Sequence, residues 1–170
     1  MVVKRVCQPG ALHLERLDEI PFLSLCTQRK RRGDTVAMSL SAEDITAVVA
    51  YRKEKAHATL REVEDMIATE HWNLAIQRMY YSCFYMASAL LLSGGFKAQT
   101  HNGVVGQLGL NYVSKGLLTK DEGRLYSRLL QHRITGDYND FFDFEREDVL
   151  PLLEPTRKLL AKLESLIAHS

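Results

Sequence analysis

The densest grouping of side chains able to do acid–base or phosphate chemistry is His132, Arg133, Asp137 and Tyr138. On a helix, Arg133 and Asp137 stand four apart and can pair, and Tyr138 falls near the same end. A second cation, Arg78, lies between Gln77 and the pair Tyr80-Tyr81 in a stretch that is otherwise apolar. An arginine buried there requires a partner, and Asp137 is the candidate. The plainer reading is a structural Arg–Asp network that ties two helices together. The sharper one is a polar cleft that binds phosphate or RNA through Arg78, Arg133 and Tyr138. Tyr81 and His101 complete the candidate cleft, although a histidine after Thr100 also suits an ordinary helix start.

Other chemistries find no support. His101, His132 and His169 are far apart, and Glu70-His71 is not followed by further ligands. Neither a metal site nor a cofactor site is therefore expected. No serine or cysteine nucleophile has a recognisable base and orienting group, so no catalytic residues are assigned. The three cysteines, Cys7, Cys26 and Cys83, form no disulfide framework. Cys83 falls in an apolar helical pattern and reads as a small buried hydrophobe. Gly103, Gly106 and Gly109 are spaced by three without a preceding strand. They are no phosphate loop, but they could admit close backbone approach along one stripe.

The elements that must position these residues are all helical. Ile45, Val48, Val49, Ala56, Leu60, Val63 and Ile67 recur at three and four, which predicts a helix over about 42–69. Ser41 and Asp44 would cap it. The segment 72–93 is apolar on most sides, so it is central in a bundle or lies at an oligomer interface. Gly94-Gly95 ends it. A third helix is expected over 101–113 with Thr100 as cap. A fourth spans about 120–136, opened by the Thr119/Glu122 capping box. A loop over 136–142 follows, then a last helix over 147–168 with Pro155 expected to kink it. The fold class is all-α, an antiparallel bundle of four or five helices.

The chain has 170 residues, with 22 Lys/Arg against 21 Asp/Glu. That balance excludes bulk electrostatic attraction to nucleic acid. No run of purely apolar residues is long enough to span a membrane. The start, MVVKRVCQPG, has no apolar core of a secretory signal, so a cytoplasmic location is expected. Residues 1–37 differ from the rest. They hold seven Lys/Arg and four Asp/Glu, including the run Arg29-Lys30-Arg31-Arg32. They read as a poorly packed basic extension, or as residues before a later true start at Met38, ahead of a compact domain over 38–170.

From Met38 to Ile167 the chain resembles the HEPN-domain proteins of the small single-domain type. The likeness rests on Tyr51-Arg52-Lys53-Glu54-Lys55-Ala56 in the first helix and Arg78-Met79-Tyr80-Tyr81-Ser82-Cys83-Phe84 in the central one. Thr100-His101-Asn102-Gly103-Val104-Val105 and Arg133-Ile134-Thr135-Gly136-Asp137-Tyr138 follow in the right order. The resemblance implies a helical bundle, a homodimer, and an arginine motif near a cleft at the dimer axis. It also implies a toxin–antitoxin setting, with a small nucleotidyltransferase partner that modifies a motif tyrosine, here Tyr138.

The RNA-cleaving branch of that family carries Arg-x(4–6)-His. After Arg133 the window from Ile134 to Asp140 holds no histidine, and His132 precedes the arginine. Cleavage by 2′-hydroxyl attack gains from a group that titrates near neutrality, as imidazole does. The leading expectation is therefore a non-catalytic or weakly active module that binds a nucleotidyltransferase, a nucleotide or RNA. The alternative is a metal-independent endoribonuclease toxin using Arg133 with Asp137 and Tyr138.

Overall fold

The computed structural model describes residues 41–138 and 143–168, apart from the side chains of 137 and 138. The expected boundary near Met38 and the basic extension before it lie outside the described residues. Five α-helices follow one another: α1 (Ala42–Ala68), α2 (Trp72–Ser93), α3 (His101–Leu108), α4 (Lys120–Tyr138) and α5 (Arg146–Ile167). Among the described residues there is no strand. The all-α bundle expected from the hydrophobic spacing is what forms.

The caps read from the sequence are in place. Ser41 Oγ accepts from the Asp44 N–H while the Asp44 carboxylate accepts from the Ser41 N–H. The Asp44 carboxyl is held below its usual range by the Ser41 hydroxyl, which donates to it at 2.8 Å, and by the Ser41 N–H. Thr100 Oγ1 accepts from the Gly103 N–H at 3.0 Å, and Thr119 and Glu122 close a reciprocal box.

Helix α2 is the centre. It packs against α1, α3, α4 and α5, and Ile76, Met79, Tyr80, Phe84, Met86, Leu90 and Leu91 are buried. Ala56 on α1 and Ala75, Ala87 and Ala89 on α2 have no exposed surface. Val63, Leu129, Leu159 and Leu163 fill the space around them. Cys83 belongs to this core, and burial pushes its thiol up to about 12. Two groups of ion pairs join α1 to α5: Glu164 takes Lys53 at 3.1 Å and His57 at 2.9 Å, and Arg157 pairs with Glu64.

Three helical segments end on one hydrogen-bonding pattern. Phe96 N–H returns to Leu91 O and Gly95 N–H to Leu92 O; Leu117 returns to Tyr112 and Gly116 to Val113; His71 returns to Met66 and Glu70 to Ile67. The pattern requires a left-handed residue. Gly95 (φ 75°) and Gly116 (φ 72°) supply it without strain, whereas Glu70 does so at φ 58°. A side chain there costs about 1–2 kcal/mol. Glu70→Gly is therefore expected to stabilise the protein by about 1 kcal/mol, read as a higher urea midpoint; an unchanged or lower midpoint would refute the strain.

The third helix departs from the expected 101–113 span. It is α-helical to Leu108 and then widens to a π-turn over Gly109–Val113, with Ser114 N–H donating to Gly109 O at 3.0 Å. Of the glycine stripe, only Gly103 has a backbone neighbour, Ala98 Cα at 4.0 Å from where a Cβ would stand. A Cβ at Gly106 or Gly109 would meet nothing within 4 Å. Helix α4 runs through Gly136 to Tyr138. Gly136 does not end it, and the Phe144 ring lies at an ordinary contact distance, 3.4 Å, from where a Cβ would stand. Pro151 and Pro155 both lie inside α5.

Candidate functional site

Helix α2 carries one stripe that the bundle leaves uncovered. Leu74 is exposed, and Arg78, Tyr81 and Tyr85 are partly so, although their neighbours Met79, Tyr80 and Phe84 are buried. The spacing of four, three and four places these residues on one face. Tyr81 and Tyr85 stack with ring centroids 6.1 Å apart and planes 30° apart. This is the partly open face of a helix that is otherwise core.

Two other helices bring polar groups to that stripe. From α4, Arg133 Nη2 donates to Tyr81 Oη at 3.1 Å, and its guanidinium carbon lies 5.7 Å from the Tyr81 ring centroid. Arg133 is only 8% exposed, so this charge is held at depth. From the first position of α3, His101 Nδ1 meets Tyr80 Oη at 2.6 Å. Its imidazole packs 4.6 Å from the Phe84 ring and edge-on to Tyr81 at 6.1 Å. Tyr81 is thus the common neighbour of Arg133 and His101.

Tyr80 is fully buried, and burial pushes its phenol above the ordinary range. Tyr126, packed at 6.0 Å from the Tyr80 ring, is raised by burial as well. Both hydroxyls therefore keep their protons. Tyr80 thus meets His101 as a neutral hydroxyl. Burial raises Tyr85 as well.

Three of the six residues singled out in the sequence, Tyr81, His101 and Arg133, meet here. Arg78 turns elsewhere: its Nε is 3.1 Å from Glu62 on α1, both side chains being roughly two-fifths exposed. Asp137 and Tyr138 occupy the last turn of α4, but their side chains lie outside the described ones, and so does the expected Arg78–Asp137 contact. Sequence reasoning read Tyr80, Tyr81, Phe84 and Tyr85 alike as core; Tyr81 and Tyr85 are partly exposed, and Tyr80 and Phe84 also hold His101, which it missed. The only available signal was the i, i+4 spacing of Tyr80 and Phe84 on a helix apolar all round.

His132, next to Arg133, is drawn into packing instead. It stands edge-on to Phe144 at 5.1 Å, and burial, with Arg128 nearby, lowers its pKa. Among the described residues no cluster could hold a metal ion, and no helix is long and apolar enough to cross a membrane. A surface groove of about 510 Å³ between α4 and α5, lined by Leu125, Arg128, Pro151 and Leu152, contains none of the six residues.

Residues 49–166 match the model of the HEPN domain. The chain belongs to the HEPN family. The UPF0332 protein of Thermotoga maritima is 32% identical to it over 120 residues, which is 71% of this chain and 91% of that protein. A Methanocaldococcus jannaschii protein named as a candidate toxin is 28% identical over 109 residues, 64% of this chain and 74% of its own. A second candidate toxin of that organism is 29% identical over 96 residues, 56% of this chain and 69% of its own. Matched segments of this length take in most of the bundle, so the HEPN domain contains every helix that builds the Tyr81 site.

Proposed function

We propose that this chain is a toxin-type HEPN module that binds single-stranded RNA at the Tyr81 face. The observation that carries the reading is the Arg133–Tyr81 contact. It fixes a permanent positive charge beside two partly exposed, stacked aromatic rings. A guanidinium presents a planar set of donors suited to phosphate oxygens, and Tyr81 and Tyr85 offer flat surfaces on which bases stack. The toxin setting is supported by the names of the two M. jannaschii relatives. The homodimer implied by the family would form away from Tyr81 and Tyr85, so that both rings stay open to RNA. A toxin-type module needs a protein that silences it, and the nucleotidyltransferase implied by the family fills that role.

The test is fluorescence anisotropy of a labelled single-stranded oligoribonucleotide titrated with the full-length protein. Binding is expected to weaken as salt rises from 50 to 200 mM. Tyr85→Ala is expected to weaken it by about tenfold. No binding at 50 mM salt, or a Tyr85→Ala variant that binds as well as the parent, would overturn the reading.

A further inference from the structure

The π-turn that follows α3 borders a second concavity. Such turns close on i→i+5 bonds and recur at functional positions. Here the turn over Gly109–Val113 forms one side of a cleft of about 420 Å³ whose other sides are α3, α4 and α5. Leu108, Leu118, Leu159 and Leu163 are its buried floor, and Val105 and Val113 are partly exposed walls. Gly109 and Gly123 also line it, so no side chain fills the space from either position. A Cβ at Gly123 would stand 3.0 Å from Val113 Cγ2, and one at Gly109 would meet nothing within 4 Å. Tyr81, Tyr85 and Arg133 take no part in this cleft.

The rim of the cleft is basic. Lys120 and Arg124 stand four apart on the first turns of α4, so they share a face, and both line the cleft while exposed to solvent. Among the described residues Lys120 makes no ion pair. Arg124 gives Nη1 to Asp121 at 3.0 Å and keeps its other nitrogens. Glu122 lines the cleft too, but its Oε2 accepts from the Thr119 N–H and hydroxyl in the capping box. Ser127 donates its hydroxyl to Gly123 O at 3.1 Å, so it makes no demand on an apolar guest.

We propose that this cleft binds a free medium-chain carboxylate, with its hydrocarbon tail on the leucine floor and its head between Lys120 and Arg124. A concave, mostly apolar lining with a few polar groups at one edge is the make-up of a small-molecule site, and the volume falls in the usual range for one. It is too small for the two chains of a membrane lipid. Each CH2 laid on the floor leaves water, and the two cations hold the carboxylate by charge-assisted bonds. The whole chain carries a formal net charge of only +1, so selectivity for an anion comes from this local pair. The site is independent of the RNA-binding reading.

The experiment titrates the full-length protein with decanoate, below the concentration at which it self-associates, and follows the heat by calorimetry. One saturable site per chain is expected. Affinity should fall about fourfold for each CH2 removed as the tail is shortened towards hexanoate. Decyltrimethylammonium, with the same tail and the opposite charge, should bind at least about tenfold more weakly. Val105→Glu sets a second carboxylate on the apolar wall and should weaken decanoate binding at least about tenfold. Lys120→Met combined with Arg124→Met should weaken it about fivefold. All three positions are at least partly exposed, and thermal melts verify that the variants fold. Decanoate that fails to bind, that binds Val105→Glu as tightly as wild type, or that is matched by decyltrimethylammonium would overturn the proposal. Association with phosphatidylglycerol vesicles without binding of monomeric decanoate would point to a membrane-facing basic surface and overturn it as well. RNA affinity is read separately, so failure here leaves the RNA-binding reading standing.

Discussion

Replacing Arg133 with methionine is expected to weaken RNA binding by about 10- to 100-fold, the loss of one charge-assisted contact of roughly 1.5–3 kcal/mol. The two side chains are similar in length, and the site is 8% exposed, so methionine can occupy the volume without leaving a large hole. A lysine at the same position is the informative comparison. It keeps the charge but not the planar fork that Tyr81 Oη accepts from at 3.1 Å. Arg133→Lys should therefore fall between wild type and Arg133→Met. Anisotropy titrations and thermal melts on the three proteins separate affinity from folding. Equal affinity in all three would show that Arg133 serves only to tie α4 to α2, the structural role that its burial also allows.

Truncating Leu90 to alanine is expected to cost about 2–5 kcal/mol of folding stability. Leu90 has no exposed surface and lies on the helix that touches every other one. Deleting its side chain removes buried apolar area and leaves a cavity that the close-packed neighbours fill only in part. The melting temperature should drop on the order of 10 °C. Leu110→Ala is the control, since Leu110 sits on the π-turn and is 66% exposed. That variant should stay within about 0.5 kcal/mol of wild type. Similar losses at the two positions would mean that the surface at Leu110 is covered in solution, for example by a second copy of the chain.

Helix existence and most helix ends were legible because they depend on neighbours close in the chain. Ser41 with Asp44, Thr100 with Gly103, and Thr119 with Glu122 act over three residues, and that spacing is visible in any window of sequence. The central position of α2 was legible too, since a helix apolar all round has few other places to go. The exceptions each involve a residue that finds its partner elsewhere. At Gly136 the expected loop gives way to a last turn of α4, and Phe144, from beyond that helix, lies at ordinary contact distance from where a side chain would stand. Gly109 opens the π-turn although its pattern reads as plain helix. Arg78 faces an acid on α1, Glu62, sixteen positions earlier, a partner that no spacing along one helix reports.

The candidate site divides in the same way. Residue types and order along the chain were enough to mark Arg133 as the motif cation, to place Tyr81 on the central helix, and to identify the bundle as HEPN. They also showed that no histidine follows Arg133 within its own helix. Spacing along one helix, however, reports only on groups within a turn or two of each other. Whether an imidazole stands near that arginine depends on how α3 and α4 pack across α2, and that is set by the fit of Tyr80, Phe84 and Tyr126 in the core. Only the folded chain places His101 against Tyr80 and Tyr81, because the contacts that do so join residues 20 or more positions apart through side-chain packing that carries no local sequence period.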